Sequence, residues 1–423
     1  MTAPAGLRAP GFAADARAAA AEMRALFEPT PLLRNDFLSL RFGAEIWLKR
    51  EDLTPVRSYK IRGALNAMRK LRAMDPGQAH FVCASAGNHA QGVAYACRHF
   101  GVHGTVFMPV TTPQQKIGKT RAFGGEAVTI RLIGDYFDQS LAAAQEFCRA
   151  EGAHFLSPFD DPDVIEGQAS VAAEMLAQLP RPPEVVVLPV GGGGLAAGIT
   201  AYLAEEAPAT RIIYVEPAGG ASLTAALEAG RPVRLSRVDS FVDGAAVAQV
   251  GAHTFARLAG VDRGAVRLAP ENRICGTMLE MLNVEGIVLE PAGALAVDAL
   301  GDLAAEIAGR TVVCVTSGGN FDFERLPEVK ERAMRFAGTK KYFLLRLPQR
   351  PGALRDFLEM LGPEDDIARF EYLKKSARNF GTVLLGIETA APGNFAALFA
   401  RLEAAGYDFR DITEDDTLGG FVI

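Results

Sequence analysis

Short apolar runs recur along the first three-quarters of the chain, at 45–48, 81–84, 105–108, 127–130, 185–188, 212–215 and 311–315, and helical spacing fills most of the intervals. Runs this short and nearly continuously apolar read as strands covered on both faces. Strands of that kind joined by helical crossovers require an α/β fold, with open, mostly parallel sheets covered by helices on both sides. In such sheets ligands gather in the crevice beyond the carboxyl ends of the strands. Chemistry is therefore expected in the loops that leave these runs, and three of those loops are polar and rich in glycine.

A separate stretch supplies a nucleophile. In Ser58-Tyr59-Lys60-Ile61-Arg62-Gly63 the lysine precedes Ile61, Ala64, Leu65, Met68 and Leu71, whose i, i+3, i+4, i+7 and i+10 spacing marks an amphipathic helix. Lys60 stands at or just before the helix start, where the partial positive charge of the backbone disfavours an ammonium. A neutral lysine can form a Schiff base. Taken alone, Lys60 is an ordinary solvated lysine in the first turn of a surface helix. The three loops are what overturn that reading.

The first loop, after residue 84, holds Ser85, Ala86, Gly87, Asn88 and His89. Its hydroxyl, amide and helix-start N–H groups form a set of donors suited to a carboxylate, although a tight turn with an Asn cap explains the same residues. The second is Gly191-Gly192-Gly193-Gly194-Leu195. Successive amides there can approach a phosphate with no side chain in the way, and the run has neither the nucleoside-triphosphate pattern nor the dinucleotide spacing. A bare hinge is the competing reading. The third is Ser317-Gly318-Gly319-Asn320, whose lone hydroxyl can face a neutral ring nitrogen or merely close a turn.

Composition narrows the function class. A chain of 423 residues holds two or three domains. Its 44 basic and 50 acidic residues give a net charge of −6, which argues against nucleic acid or an anionic membrane as the main partner. No apolar run reaches membrane-spanning length. The five cysteines, Cys83, Cys97, Cys148, Cys275 and Cys314, are dispersed and read as free thiols of a reducing compartment, and no two of the six histidines have ligand spacing, so no metal is expected. The Ala-rich start mixes Arg8, Asp15, Arg17 and Glu22 into a helix, unlike a signal or transit peptide, and places the chain in the cytoplasm.

A Schiff-base lysine, a carboxylate pocket, a phosphate cup and a hydroxyl for a ring nitrogen are the parts of a pyridoxal-phosphate enzyme. The run 55–64, the 85–92 loop, the glycine run and Ser317-Gly318-Gly319-Asn320 resemble the threonine dehydratase family of fold-type-II pyridoxal-phosphate enzymes, as do Pro29-Thr30-Pro31-Leu32, Pro158-Phe159-Asp160-Asp161-Pro162 and Val242-Asp243-Gly244. The resemblance implies that Lys60 carries the cofactor and Gly191, Gly192, Gly193, Gly194 and Leu195 bind its phosphate. Asn88 would contact its phenolic oxygen and Ser317 its ring nitrogen, while Ser85, Ala86, Gly87, Asn88 and His89 hold the substrate. It implies conversion of L-threonine to 2-oxobutanoate and ammonia. Racemases of this fold carry a serine where Ala86 stands, so dehydration without racemisation is expected. Their metal site is incomplete here, since Glu216 is present but Ser222 replaces an aspartate.

Beyond a polar linker at 336–341 the pattern changes to strands at 342–347, 367–373, 382–387 and near 407–412, with helices after Pro351-Gly352 and around Phe395, Leu398, Phe399 and Leu402. That β-α-β-β-α-β order is a ferredoxin-like unit. Arg350-Pro351-Gly352-Ala353-Leu354 and Gly381-Thr382-Val383-Leu384-Leu385-Gly386-Ile387-Glu388 resemble the ACT-like regulatory domain of biosynthetic threonine dehydratases. The expected division is a catalytic region 1–335 and a regulatory domain 342–423. The resemblance implies isoleucine as effector, opposed by valine, and a homodimer or homotetramer in which single modules pair. A structural appendage is the plainer reading of the module. A related serine/threonine or hydroxyaspartate dehydratase, or a non-enzymatic sensor of amino acids or phosphate ligands, stands as the alternative. Lys60 discriminates against the sensor, which needs no imine-forming lysine.

Overall fold

The computed structural model describes residues 11–373 and 379–415. Arg8 lies outside them. The chain divides into two compact units, Met1–Phe323 and Glu324–Ile423.

In the first unit the strands are β1 (Leu32–Arg34), β2 (Glu45–Arg50), β3 (His80–Ala84), β4 (His103–Met108), β5 (Val128–Leu132), β6 (His154–Phe155), β7 (Val185–Pro189), β8 (Arg211–Pro217), β9 (Val266–Ala269) and β10 (Thr311–Thr316). They form two sheets, one ordered β1-β2-β10-β7-β8-β9 and one ordered β5-β4-β3-β6. Every pairing is parallel except β1 with β2. Central strands β7 and β10 are buried at every position because helices cover both faces, which is why they read as unbroken apolar runs. Residues 127–130 were expected as a strand, but 3-10 helix Gly125–Ala127 occupies the start and the strand begins at Val128. Gly125, at φ 56, makes that turn.

Helix Lys60–Met74 buries Ile61, Ala64, Leu65 and Met68 as their spacing predicts. With helix Asn88–Phe100 and strands β3 and β4 it encloses one core. A second core surrounds helices Pro162–Gln178 and Gly194–Glu206, onto which helix Phe12–Met23 lays Ala13, Ala16 and Ala20. Among the described residues no helix is long and apolar enough to cross a membrane.

The second unit opens with helix Leu326–Phe336 and then forms β11 (Lys340–Pro348), β12 (Asp365–Leu373), β13 (Phe380–Thr389) and β14 (Asp408–Asp411), antiparallel in the order β12-β13-β11-β14. Helices Ala353–Leu358 and Gly393–Ala404 pack Phe357, Phe395, Leu398 and Leu402 against Phe343, Leu345, Val383, Leu385 and Ile387. The expected linker 336–341 does not form. Phe336 ends a helix, Gly338 turns at φ 69, and Lys340 already belongs to β11. The lysine reads as polar connector because sequence hides its partners: its ammonium is shared by Glu331 at 2.5 Å and Glu388 at 2.9 Å, which lets it sit buried in the sheet.

Candidate active site

Lys60 is the first residue of its helix, with Tyr59 at the N-cap and no side chain closing that end. The open first turn leaves the positive end of the helix beside the amine. Nζ donates to the Pro158 carbonyl at 2.7 Å and lies 5.2 Å and 5.8 Å from the ring centres of Tyr59 and Phe159. Loss of solvent around the amine pulls its pKa down to about 8, against the pull of the Glu290 carboxyl.

Beneath the helix start lies a buried ion cluster. Arg62 gives Nε to Glu51 at 2.7 Å and Nη1 to Glu174 at 2.8 Å, Lys49 reaches Glu174 at 2.7 Å, and the Thr30 hydroxyl donates to Glu51 at 2.5 Å. Two cations face two carboxylates with their hydrogen bonds made, the condition under which buried charge is tolerated. Burial works against ionisation of Glu174, but Arg62 and Lys49 hold its carboxyl well below the usual range.

Backbone bonds stitch the Lys60 segment to the 317–320 loop: Tyr59 N–H to Ser317 O at 3.1 Å, and Gly319 N–H to Arg57 O at 3.0 Å. Ser317 is buried and its hydroxyl donates to the Ala292 carbonyl at 3.3 Å. Close by in the chain, Ser58 is wholly buried and its hydroxyl finds no partner among the described residues. Such an orphaned donor marks a corner shaped for a group that is not protein.

Helix Asn88–Phe100 starts without a side-chain cap, so the turn-and-cap reading of Asn88 does not hold. Its amide instead donates Nδ2 to Glu290 at 2.6 Å and accepts from Asn320 Nδ2 at 2.7 Å. Ser85 Oγ accepts from Gly87 N–H at 3.2 Å, and the 85–88 stretch stays half-exposed. His89 departs from its neighbours: its Nε2 lies 3.0 Å from the Leu156 carbonyl, and burial pushes its pKa down to about 3, so the ring is a neutral packing element.

The glycine run leaves β7 and enters helix Gly194–Glu206, which likewise has no side-chain cap. A Cβ on Gly192 would stand 2.3 Å from the Phe159 ring, one on Gly191 2.8 Å from Ala245 Cα, and Gly193 turns at φ 92. Only glycines fit this cradle, whose free helix-start amides suit an anion. Its far wall is held by Thr254, which donates to the Gly192 carbonyl at 2.9 Å, and by Asp160, which accepts from the amides of Ala252, His253 and Thr254.

Sequence alone places Glu290 among the residues that help shape the site, without an individual role, and the structure sets it against the 85–88 and 317–320 loops. It is buried, and burial together with the nearby Asp243 pushes its pKa up to about 7, against the hydrogen bond from Asn88. Its only local signal is the Glu-Pro step ahead of helix Pro291–Asp298, where it serves as N-cap. Glu216 is satisfied internally, its two oxygens accepting from Leu223 N–H, Thr224 N–H and the Thr224 hydroxyl.

Residues 23–318 match the family model of pyridoxal-phosphate dependent enzymes, and residues 331–422 match the C-terminal regulatory domain of threonine dehydratase. The chain belongs to the pyridoxal-phosphate-dependent enzyme family. It is 47% identical over 390 residues to the biosynthetic L-threonine dehydratase IlvA of Bacillus subtilis, covering 92% of both chains. To that of Mycobacterium tuberculosis it is 49% identical over 394 residues, covering 92% of this chain and 91% of the relative. Among solved structures, the processed threonine deaminase isoform 2 of Solanum lycopersicum superposes with a TM-score of 0.71 at 38% identity, over 76% of this chain and 92% of that one. The residues gathered here fit the family's cofactor: an amine of lowered pKa, an anion cradle closed to any side chain, and an unpartnered buried hydroxyl at Ser58 beside Gly318.

Proposed function

We propose that this chain converts L-threonine to 2-oxobutanoate and ammonia, the first step of isoleucine synthesis, with Lys60 as the residue that carries pyridoxal phosphate and moves the α-proton. The observation that carries the reading is the placement of Lys60 at an open helix start, its Nζ bonded to the Pro158 carbonyl at 2.7 Å beside Phe159, which packs over Gly192 of the glycine run. When bound, the cofactor supplies the electron sink for the bond broken at the substrate α-carbon.

The chain's own residues do the rest. The amides of Gly191, Gly192, Gly193, Gly194 and Leu195 hold the phosphate. Ser85 and the amides that follow it orient the substrate carboxylate, and Asn88 offers an N–H to the phenolic oxygen. Ser317 would turn its neutral hydroxyl from the Ala292 carbonyl to the ring nitrogen, which enforces no positive charge on the ring. Freed for catalysis, Lys60 takes the α-proton as a base, an effect on the order of 10²- to 10⁴-fold, and the Pro158 carbonyl keeps Nζ in place. The β-hydroxyl leaves as water. Hydrolysis of the released imine takes water up again, so the net products are the 2-oxo acid and ammonia.

Catalysis falls to the Met1–Phe323 unit and regulation to Glu324–Ile423, with isoleucine as inhibitor and valine opposing it, in a cytoplasmic homodimer or homotetramer. A groove of about 330 Å³ in the second unit supports an amino-acid effector. It places Arg350 and Asp356, paired at 2.7 Å, beside Met360, Phe380 and Tyr407, which gives a partner for each end of a zwitterion and an apolar floor.

The test is a visible spectrum of the purified protein followed by 2-oxobutanoate detection on adding L-threonine. A yellow protein that forms the product, and a Lys60→Ala variant that has lost both colour and turnover, is the expected result. A Lys60→Ala protein that still turns over threonine overturns the assignment.

A further inference from the structure

Four separate loops meet at Glu290. Its backbone N–H donates to the Gly318 carbonyl at 3.2 Å, and its carboxyl takes the Asn88 amide at 2.6 Å. A Cβ on Gly318 would stand 2.2 Å from Glu290 Oε1, so that glycine leaves room for this carboxyl, while one on Gly244 would meet it at ordinary contact distance, 3.6 Å. The charged groups around it are Asp243, Lys116, Lys119 and Lys60, and none of these four is paired with its carboxylate by a salt bridge among the described residues.

The hydrogen bonds leading to Glu290 run in one direction. Lys119 Nζ, which can only donate, lies 3.5 Å from Asn320 Oδ1. Asn320 Nδ2 donates to the Val56 carbonyl at 2.8 Å, which can only accept, and to Asn88 Oδ1 at 2.7 Å. Asn88 Nδ2 then donates to Glu290. With a pure donor at Lys119, a pure acceptor in the Val56 carbonyl and Glu290 accepting from Asn88 Nδ2, neither amide can be reversed without breaking its bonds. Asn88 Nδ2 keeps a second N–H that this chain does not use.

We propose that Glu290 is a positioning residue: by ending this one-way chain it locks the Asn88 amide with its nitrogen on the cofactor side, so that an N–H rather than a carbonyl meets the phenolic oxygen. The proposal rests on the assignment of Asn88 to that oxygen. A donor there stabilises the ionised oxygen, whereas a reversed amide would oppose it with its own lone pairs. Loss of Glu290 also removes its pull on the Lys60 amine, so the share that acts through Asn88 is read from the double variant.

The test reads the visible band of the resting holoprotein against pH, together with the dissociation constant for pyridoxal phosphate. Glu290→Ala should raise the pH midpoint of the band by about one unit and weaken cofactor binding roughly tenfold, because one unit is a tenfold bias between the two forms. Glu290→Gln, which keeps an acceptor, should recover most of both. Asn88→Ala should move the midpoint as far as Glu290→Ala, and the double variant no further, the signature of two residues acting in series. If Asn88→Ala leaves the midpoint unmoved, the Asn88 assignment itself fails. If it moves while Glu290→Ala does not, or if the two shifts add in full, the positioning role is overturned. Should Glu290→Ala not fold, Glu290→Met keeps the volume, removes the acceptor and is read in the same way.

Discussion

Lys60 Nζ is bonded to the Pro158 carbonyl at 2.7 Å, so the amine is pinned between its own helix start and a segment nearly a hundred residues on. That bond orients the lone pair without supplying a negative charge, and desolvation is left free to lower the pKa to about 8. At pH 7 roughly one amine in ten is then neutral, against about one in 2,500 for a lysine at its usual 10.4. Cofactor uptake by the apoprotein needs the neutral amine. The rate, followed at the visible band, should rise about tenfold from pH 6 to pH 7 and level off above about 8; a rate still climbing at pH 10 would show an ordinary solvated lysine.

Asp160 connects the Lys60 side of the site to the glycine cradle. Its carboxylate caps helix Ala252–Leu258, whose Thr254 holds the Gly192 carbonyl, while Phe159 next to it packs over Gly192. Losing a cap of this kind costs about 1 kcal/mol. Asp160→Ala should therefore weaken cofactor binding roughly fivefold to tenfold, with Asp160→Asn, which still accepts, in between. Equal affinities for wild type and Asp160→Ala in a visible-band titration would show that the cradle does not depend on this cap.

Much of this could be read from the chain, and what could not shares one physical cause. Buried strands such as β7 and β10, and the helix that starts at Lys60, declare themselves because each residue's environment repeats locally. Strands β1, β6 and β9 give no such signal because they are two to four residues long and partly exposed. Glu290 and Asp160 carried no assignable role because their partners lie 202 and 92 residues away, at Asn88 and Ala252, and a pairing at that range leaves no local pattern. Lys340 reads as linker for the same reason, its partner Glu388 lying on the neighbouring strand β13.

Ala86 bears on what the enzyme does not do. It lies in the half-exposed loop between Ser85 and Gly87, where it can neither give nor take a proton. On the proposed assignment of Lys60 as the base over the α-carbon, Ala86 supplies no donor for protonation from the opposite face. Incubation with L-serine should yield pyruvate and no D-serine by chiral chromatography. D-serine formed at a rate comparable to dehydration would mean that another residue serves that face.

Arg350 tests the effector groove. Its pair with Asp356 is solvent-exposed and contributes little to folding, so an incoming carboxylate can take its place at small cost. Arg350→Ala should raise the isoleucine concentration for half-inhibition by about tenfold, the size of one charge-assisted hydrogen bond, and leave the uninhibited rate unchanged. An unaltered inhibition curve would place the effector elsewhere.

The ion cluster under Lys60 predicts an asymmetry in stability. Arg62 is wholly buried and bonded to both Glu51 and Glu174, so Arg62→Met removes one cation and leaves two buried carboxylates facing Lys49 alone. Breaking a buried pair from one side costs about 3–5 kcal/mol, while replacing both partners by apolar groups of similar volume is often near neutral. The urea midpoint of the catalytic unit should fall steeply in Arg62→Met and return most of the way in Arg62→Met combined with Glu51→Met. A single variant within about 1 kcal/mol of wild type would mean that water or local rearrangement already compensates Glu51, and that the Lys60 helix is held by its apolar face rather than by the charges beneath it.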